Sequence, residues 1–237
     1  MVRYIDVHAQ QRLKDLLETY LPACVADFEK VLQRTGAQIM GSFPLFCLVP
    51  PRRTWSMPGD LDIFLCPRLP SLMHRDLREF EKIFLRCGYQ CVSSPQYDPF
   101  MQAPDGMQAP SMNVFTFMKG SDPNTLQVQV ILYTGVFNSP DWHMQLMWAF
   151  DLSCCSVSYD GDSFQVTHDN LTPATQRVTI RRLNPSTTQR IEKYHSRGFA
   201  FVIQPLPFPN ALLRSSPSVE ALMSLCKLLL RHVSPPR

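Results

Sequence analysis

Two aspartates, Asp60 and Asp62, stand two residues apart at the head of the apolar run 61–65. A strand period of two puts both carboxylates on one face, about 7 Å apart by strand rise, with Leu61, Ile63 and Leu65 on the other. Aspartate is disfavoured in strands, and a pair inside an apolar pentad is costly unless it is used. Carboxylates so placed can share divalent cations, and magnesium favours such oxygens together with substrate phosphates. Upstream, Gly41-Ser42 closes the short apolar run 37–40. A turn of this kind offers backbone N–H groups and a hydroxyl, the makings of an anion-holding concavity. Two cations held there can activate an attacking hydroxyl and stabilise a pyrophosphate leaving group. A further acid is needed to complete the metal site or to take the acceptor's proton.

The elements that must position these groups follow from periodicity. Residues 10–32 keep one apolar face at helical spacing, with Pro22 kinking or splitting the helix and Gly36 ending it. Residues 37–40 read as a buried strand and 43–49 as a helical turn closed by Pro50-Pro51. Residues 74–87 form a charged amphipathic helix stopped by Gly88. Residues 94–110, rich in Pro, Gln, Asp, Met and Gly, read as a long surface loop. Residues 112–118 and 126–133 form a hairpin across KGSDPN. Residues 142–149 form a short helix with Ser139 as cap and Pro140 at its first position. Residues 150–159 and 163–167 form a second hairpin around Asp160-Gly161. Helices follow from Asn184-Pro185 to Arg197, ended by Gly198, and from Ser216-Pro217 onward. Helices, then a mixed β-region with embedded helices, then helices again indicate an α/β or α+β domain with a helical C-terminal part. No Gly-rich phosphate loop of the Walker or Rossmann kind occurs.

Composition narrows the classes. With 45% hydrophobic and 11% aromatic residues in 237, the chain can bury a core, which excludes global disorder. No run of about 18 apolar residues occurs, so no membrane-spanning helix is expected. The first residues, MVRYIDVHAQQRLKDLLE, lack the apolar stretch of a signal peptide. The expectation is an intracellular, cytoplasmic protein, with the nucleus also compatible. Eight cysteines without a Cys-x-x-Cys pair read as free thiols in a reducing compartment. Zinc held by Cys87, Cys91 and a histidine lacks a second ligand pair. Between residues 174 and 199, Arg177, Arg181, Arg182, Arg190, Lys193 and Arg197 face Glu192 alone. This local charge of +5 lies in a chain of net +3, leaving −2 elsewhere. A basic patch beside an acidic site suits polyphosphate or nucleic acid.

The run IMGSF (39–43) followed by GDLDIF (59–64) resembles the signature of the nucleotidyltransferase fold of DNA polymerase β and its relatives. That signature is a strand, Gly-Ser, a helix, then an acidic-x-acidic strand. The set GDLDIF, LQVQVI, FDLSCC and RIEKYHSRGF is similar to uncharacterised nucleotidyltransferase-like proteins of viruses and phages, over residues 37–203. The resemblance implies that Gly41 and Ser42 touch nucleotide phosphates and that Asp60 and Asp62 bind metal ions. It makes Arg190, Lys193 and Arg197 candidates for the triphosphate tail; their spacing of three and four places them on one helix face. Two departures stand out. Seventeen residues separate Ser42 from Asp60, more than usual, a stretch containing Pro50, Pro51 and Pro58 that reads as a looped insertion. The strand LQVQVIL, where the third acid is often found, carries Gln127 and Gln129. Asp151, between Phe150 and Leu152, is the replacement candidate for catalysis and metal binding. Its other reading is a helix-to-strand junction residue that bonds backbone donors.

The resulting expectation is an α+β fold with a nucleotidyltransferase-like mixed sheet flanked by helices. An N-terminal helical segment covers 1–36, the core 37–168, and a basic helical C-terminal part 169–237. The expected activity is Mg2+- or Mn2+-dependent transfer of a nucleoside monophosphate from a nucleoside triphosphate to a hydroxyl of RNA, a small molecule or a protein. The alternative is an inactive member of the fold that binds nucleotide or RNA, or serves as a scaffold. No membrane partner is expected, and oligomeric state is not readable.

Overall fold

The computed structural model describes residues 2–4, 6–49, 55, 57–67, 69–93, 112–120, 126–133, 141–167, 177–181 and 187–202. Strand β1 (Val2–Tyr4) leads to Asp6, whose carboxylate accepts from the N–H groups of His8 and Ala9 at 2.8 and 3.0 Å and starts helix α1 (Val7–Tyr20). Pro22 splits the helical period as expected, and α2 (Val25–Thr35) follows. Then come β2 (Gln38–Met40), α3 (Ser42–Leu48) and β3 (Asp60–Leu65). Helix α4 (Met73–Arg86) precedes β4 (Gln90–Ser93), β5 (Met112–Met118) and β6 (Gln127–Tyr133). Helix α5 (Trp142–Ala149), a 3-10 turn (Ser153–Cys155), β7 (Val157–Tyr159) and β8 (Phe164–Val166) complete the sheet. Last are β9 (Arg177–Thr179), α6 (Thr187–Ser196) and β10 (Ala200–Val202).

The fold is α+β, a mixed sheet with helices against it. Eight strands run in the order β1-β8-β7-β2-β3-β6-β5-β4, antiparallel except for the parallel pair β3–β6 at the centre. β9 and β10 form a separate parallel pair. The strand, Gly-Ser, helix, strand order of the resemblance is present as β2, Gly41-Ser42, α3, β3.

The pleat gives the sheet two different faces. Ile39, Leu61, Ile63, Leu65, Val128, Val130 and Leu132 are buried in one cluster with α1, α2 and α4. Aromatic edges fill the gap between helices and sheet. Phe28 lies 6.0 Å from Phe80, and Phe84 lies 5.0 Å from Phe117, centroid to centroid. This cluster joins residues from Ala9 to Phe199, so the N-terminal helices and α6 share one core with the sheet. On the opposite face a smaller cluster of Met40, Phe64, Ile131, Trp142, Leu146 and Met147 packs under α5.

The structure differs from the sequence reading in several places. Residues 150–159 are not one strand: the chain turns through the 3-10 segment, and only Val157–Tyr159 pairs. Side chains hold that bend. Ser153 Oγ accepts from Thr179 N–H at 2.9 Å, and Ser156 Oγ donates to the Met147 carbonyl at 2.7 Å. Helix α5 starts at Trp142 after Asp141, while Ser139 and Pro140 lie outside the described residues. So do the loop 94–110 and the helix from Ser216. β1, β4, β9 and β10 have no counterpart in the sequence reading. Cys91 is exposed, unlike the other six described thiols, all free. None of the described helices is long and apolar enough to cross a membrane.

The β7–β8 turn docks onto α2 through Gly161. Its φ is 95°, and a Cβ there would sit 2.8 Å from the Glu29 carbonyl oxygen and 3.0 Å from Gln33 Cγ. Gln33 also donates to the Gly161 carbonyl at 2.7 Å. Gly161→Ala combines backbone strain with a clash against backbone, and urea unfolding should show a loss of about 2–4 kcal/mol.

Candidate functional site

Register assembles the site. β3 lies between β2 and β6, with Met40 opposite Asp62 on one side. On the other, Asp60 is opposite Gln127 and Asp62 opposite Gln129. Paired residues share a face, so two carboxylates and two carboxamides form a four-cornered polar patch on the sheet. Thr116 of β5 extends it beyond Gln129. Leu61 and Val128, between the corners, are fully buried on the other side.

The turn above the patch is Gly41-Ser42. Gly41 has φ 87° and ψ −134°, a conformation essentially reserved to glycine. A Cβ built on it would lie 3.7 Å from Asp62 Oδ2, so the turn rests against that carboxylate. Ser42 Oγ donates to Asp60 Oδ1 at 3.4 Å. The Gly41 N–H is taken by the Val157 carbonyl at 3.3 Å, and Pro44 has no N–H. In the first turn of α3 the N–H groups of Ser42 and Phe43 have no intrahelical partner.

Electrostatics single out Asp62. Its Oδ1 is buried and has no hydrogen-bond partner. Burial, and then repulsion from Asp60, push its pKa from 3.8 up to about 7. Lys193 and Arg190 of α6 pull the other way, which places the basic helix within electrostatic reach of the acidic pair. Lys193 is exposed and pairs with no carboxylate among the described residues.

Arg190 is committed elsewhere as well. Its Nη1 lies 2.6 Å from Asp151 Oδ1, and its Nη2 donates to Cys155 Sγ at 2.9 Å. Asp151, 2% exposed, also accepts from Thr187 Oγ1 at 2.8 Å, while its backbone carbonyl accepts from Arg181 N–H at 2.8 Å. Cys155 donates to Tyr194 Oη at 3.4 Å. The thiol of Cys154 and the guanidinium of Arg190 hold the Cys155 pKa below the usual thiol value, against desolvation. Arg197 stands apart from this group, its guanidinium packed between the rings of Trp55 and Tyr194.

The structure thus brings together Gly41, Ser42, Asp60 and Asp62, and sets Arg190 and Lys193 nearby. Asp151 faces Arg190 and Thr187. Among the described residues no three His, Cys, Asp or Glu side chains are gathered closely enough to hold a metal ion. Gln127 and Gln129 occupy the positions beside the acidic pair. Sequence reasoning passed over Cys155, a buried thiol in an apolar run, because its partner Arg190 is 35 residues away.

No family model and no curated protein matches the chain, so the expected likeness to viral and phage proteins gains no support. Among solved structures, an apo form of a CCA-adding enzyme is similar, with a TM-score of 0.47 and 8% identity over 94% of this chain. The match takes in 47% of that protein, so the present chain spans about half its length.

Two measurements separate the roles of the aspartates. Unfolded aspartate titrates near its ordinary value of about 4, whereas folded Asp62 titrates near 7. Between these values the folded chain binds more protons, so its stability falls as pH rises through that window. Without divalent cations, Asp62→Asn should flatten this slope and stabilise the protein at about pH 8 by on the order of 2 kcal/mol, measured by urea titration across the window. Asp151→Ala should instead destabilise at neutral pH by about 2–3 kcal/mol, because it strands a partly buried guanidinium. A neutral result for Asp151→Ala in the same assay would remove its structural role.

Proposed function

We propose that this chain is a nucleotide-and-metal-binding protein of nucleotidyltransferase type in which carboxamides stand where the third acid is expected. The observation that carries this reading is the register that sets Gln127 beside Asp60 and Gln129 beside Asp62, with Asp151 ion-paired to Arg190. Glutamine can orient a water or a ribose hydroxyl. It neither takes a proton nor adds charge to a metal site.

The acidic pair fits a hard divalent cation, Mg2+ or Mn2+. Its donors are carboxylate oxygens, and Asp62 Oδ1 lacks a partner. Asp60 and Asp62 would hold the cation, which when bound would neutralise phosphate charge and stabilise a pyrophosphate leaving group. The remaining roles belong to the chain's own groups. Ser42, with its hydroxyl and the first-turn N–H groups, faces the phosphates. Lys193 supplies a mobile positive charge for the triphosphate tail, while Arg190, pinned by Asp151 and Cys155, sets a fixed one.

A second reading, transfer of a nucleoside monophosphate to a hydroxyl of RNA, a small molecule or a protein, is favoured by one observation. Asp62 is held in a burial that raises its pKa, a cost met more often at working sites than elsewhere. In that reading Asp151 serves as the third acid only after leaving Arg190.

The test combines nucleotide-dependent thermal shift with transfer of labelled nucleotide to a mixed RNA pool, with Mg2+ or Mn2+. Wild type should show a metal-dependent thermal shift that Asp60→Ala/Asp62→Ala abolishes, and little transfer. Gln129→Asp, which supplies a third carboxylate beside Asp62, should raise transfer by about 100-fold. Absence of any metal-dependent shift in wild type would sink the binding reading. Vigorous wild-type transfer lost in Asp151→Asn would establish the second reading in its place.

A further inference from the structure

Just past the end of α6 lies a buried cation that has no anion among the described residues. Arg197 is 7% exposed, and its guanidinium carbon lies 5.2 Å from the Trp55 ring centroid and 5.3 Å from that of Tyr194. Its Nη1 is buried with no hydrogen-bond partner, and among the described residues no carboxylate pairs with it. Ring faces attract a guanidinium but do not accept its in-plane N–H groups. Next to it, Trp55 is 6% exposed, and its Nε1 is likewise buried and unpartnered. Two neighbouring buried donors, one of them charged, without an acceptor form an arrangement that costs stability as it stands.

The surroundings fix these donors in place. Trp55 meets Phe46 edge-on at 5.3 Å and Phe199 at 5.6 Å. Phe199 in turn meets Tyr194 at 5.7 Å. The Tyr194 carbonyl accepts from the N–H groups of both Arg197 and Phe199, at 3.2 and 3.1 Å, which curls the helix end around this cluster. Both connections lead back to the acidic pair. Phe46 lies four residues, one helical turn, beyond Ser42 on α3, and Arg197 follows the end of α6 four residues after Lys193.

We propose that Trp55 and Arg197 form an oxyanion subsite for a phosphate group, separate from the Asp60–Asp62 pair. Charge selects an anion: a neutral carbonyl would satisfy the indole N–H but leave the guanidinium uncompensated, whereas a phosphate brings negative charge and several acceptor oxygens, enough for separate donors. That phosphate can come from a nucleotide's own tail or from a phosphorylated acceptor. The subsite stands on its own geometry and does not depend on nucleotide binding at the acidic pair.

The indole N–H signals of the 15N-labelled chain report on it, with that of Trp55 assigned by Trp55→Phe. Titration with inorganic phosphate, free of divalent cations, should move the Trp55 signal saturably. Asp60→Ala/Asp62→Ala should keep the response, which separates this subsite from the proposed nucleotide site. Arg197→Gln should abolish it. Arg197→Lys, which keeps the charge and supports the fold if glutamine does not, should weaken phosphate binding about 10-fold through loss of the planar donor set. Magnesium-ATP that displaces phosphate identifies the nucleotide tail as the source; a phosphate response that persists under saturating magnesium-ATP identifies an acceptor's phosphate. No saturable movement in wild type, or an undiminished one in both Arg197 variants, overturns the proposal.

Discussion

The parallel pairing of β3 with β6 is the constraint from which the site follows. A strand that slips by one residue exchanges its two faces. Here such a slip would drive Asp60 and Asp62 into the core and put Leu61, Ile63 and Leu65 outside. Six aliphatic side chains on these two strands are fully buried, which is worth roughly 10 kcal/mol or more in gross transfer free energy. That outweighs the few kcal/mol lost by holding Asp62 where its carboxyl resists ionisation. The hydrophobic face therefore fixes the chemistry of the polar face, although its aliphatic side chains lie on the other side of the sheet from the carboxylates. The Gly41 turn adds the third dimension, since only a glycine lets the chain leave β2 and lie against Asp62.

Positive charge reaches the acidic patch in two forms. Arg190 is held from behind by Asp151 and Cys155, so its position is set before any ligand arrives. Lys193, three residues on, is exposed, and its long unbranched stem lets the ammonium take up several positions. A fixed and a mobile cation beside one carboxylate pair suit a ligand whose negative charge is spread over several phosphates. Just past the end of the same helix, Arg197 gives up mobility for burial between two rings.

The legibility of this arrangement in the sequence follows the range of the interactions involved. Alternation in DLDIFL and QVQVILY shows strands and faces, because burial of every second residue is written into six or seven consecutive positions. Pro22 and Gly36 mark the helix ends through local backbone restrictions. The strands Val2–Tyr4, Arg177–Thr179 and Ala200–Val202 are too short to show a period, and they exist through their partners: β1 pairs with β8, and β10 with β9. Asp151 is conspicuous in its apolar setting. Its partner Arg190 lies 39 residues downstream, and nothing local to Phe150-Asp151-Leu152 tells an ion pair from a metal ligand. The bend at Ser153–Cys155 was hidden in an apolar run for a similar reason, since the serine hydroxyls that hold it reach Thr179 and Met147.

Because one guanidinium serves both Asp151 and Cys155, these positions are not independent in evolution. Among the described residues, loss of the carboxylate leaves a charge with the thiol as its partner, and loss of the arginine leaves a buried acid with Thr187 as its side-chain partner. Substitutions acceptable in combination are thus harmful singly, and the order in which they arise is restricted. The route by which such a chain could acquire a new acid at the Gln129 position is freer, because among the described residues Gln129 belongs to no such network. Sequence drift should therefore be slow and concerted at Asp151, Cys155 and Arg190, and less constrained at Gln129.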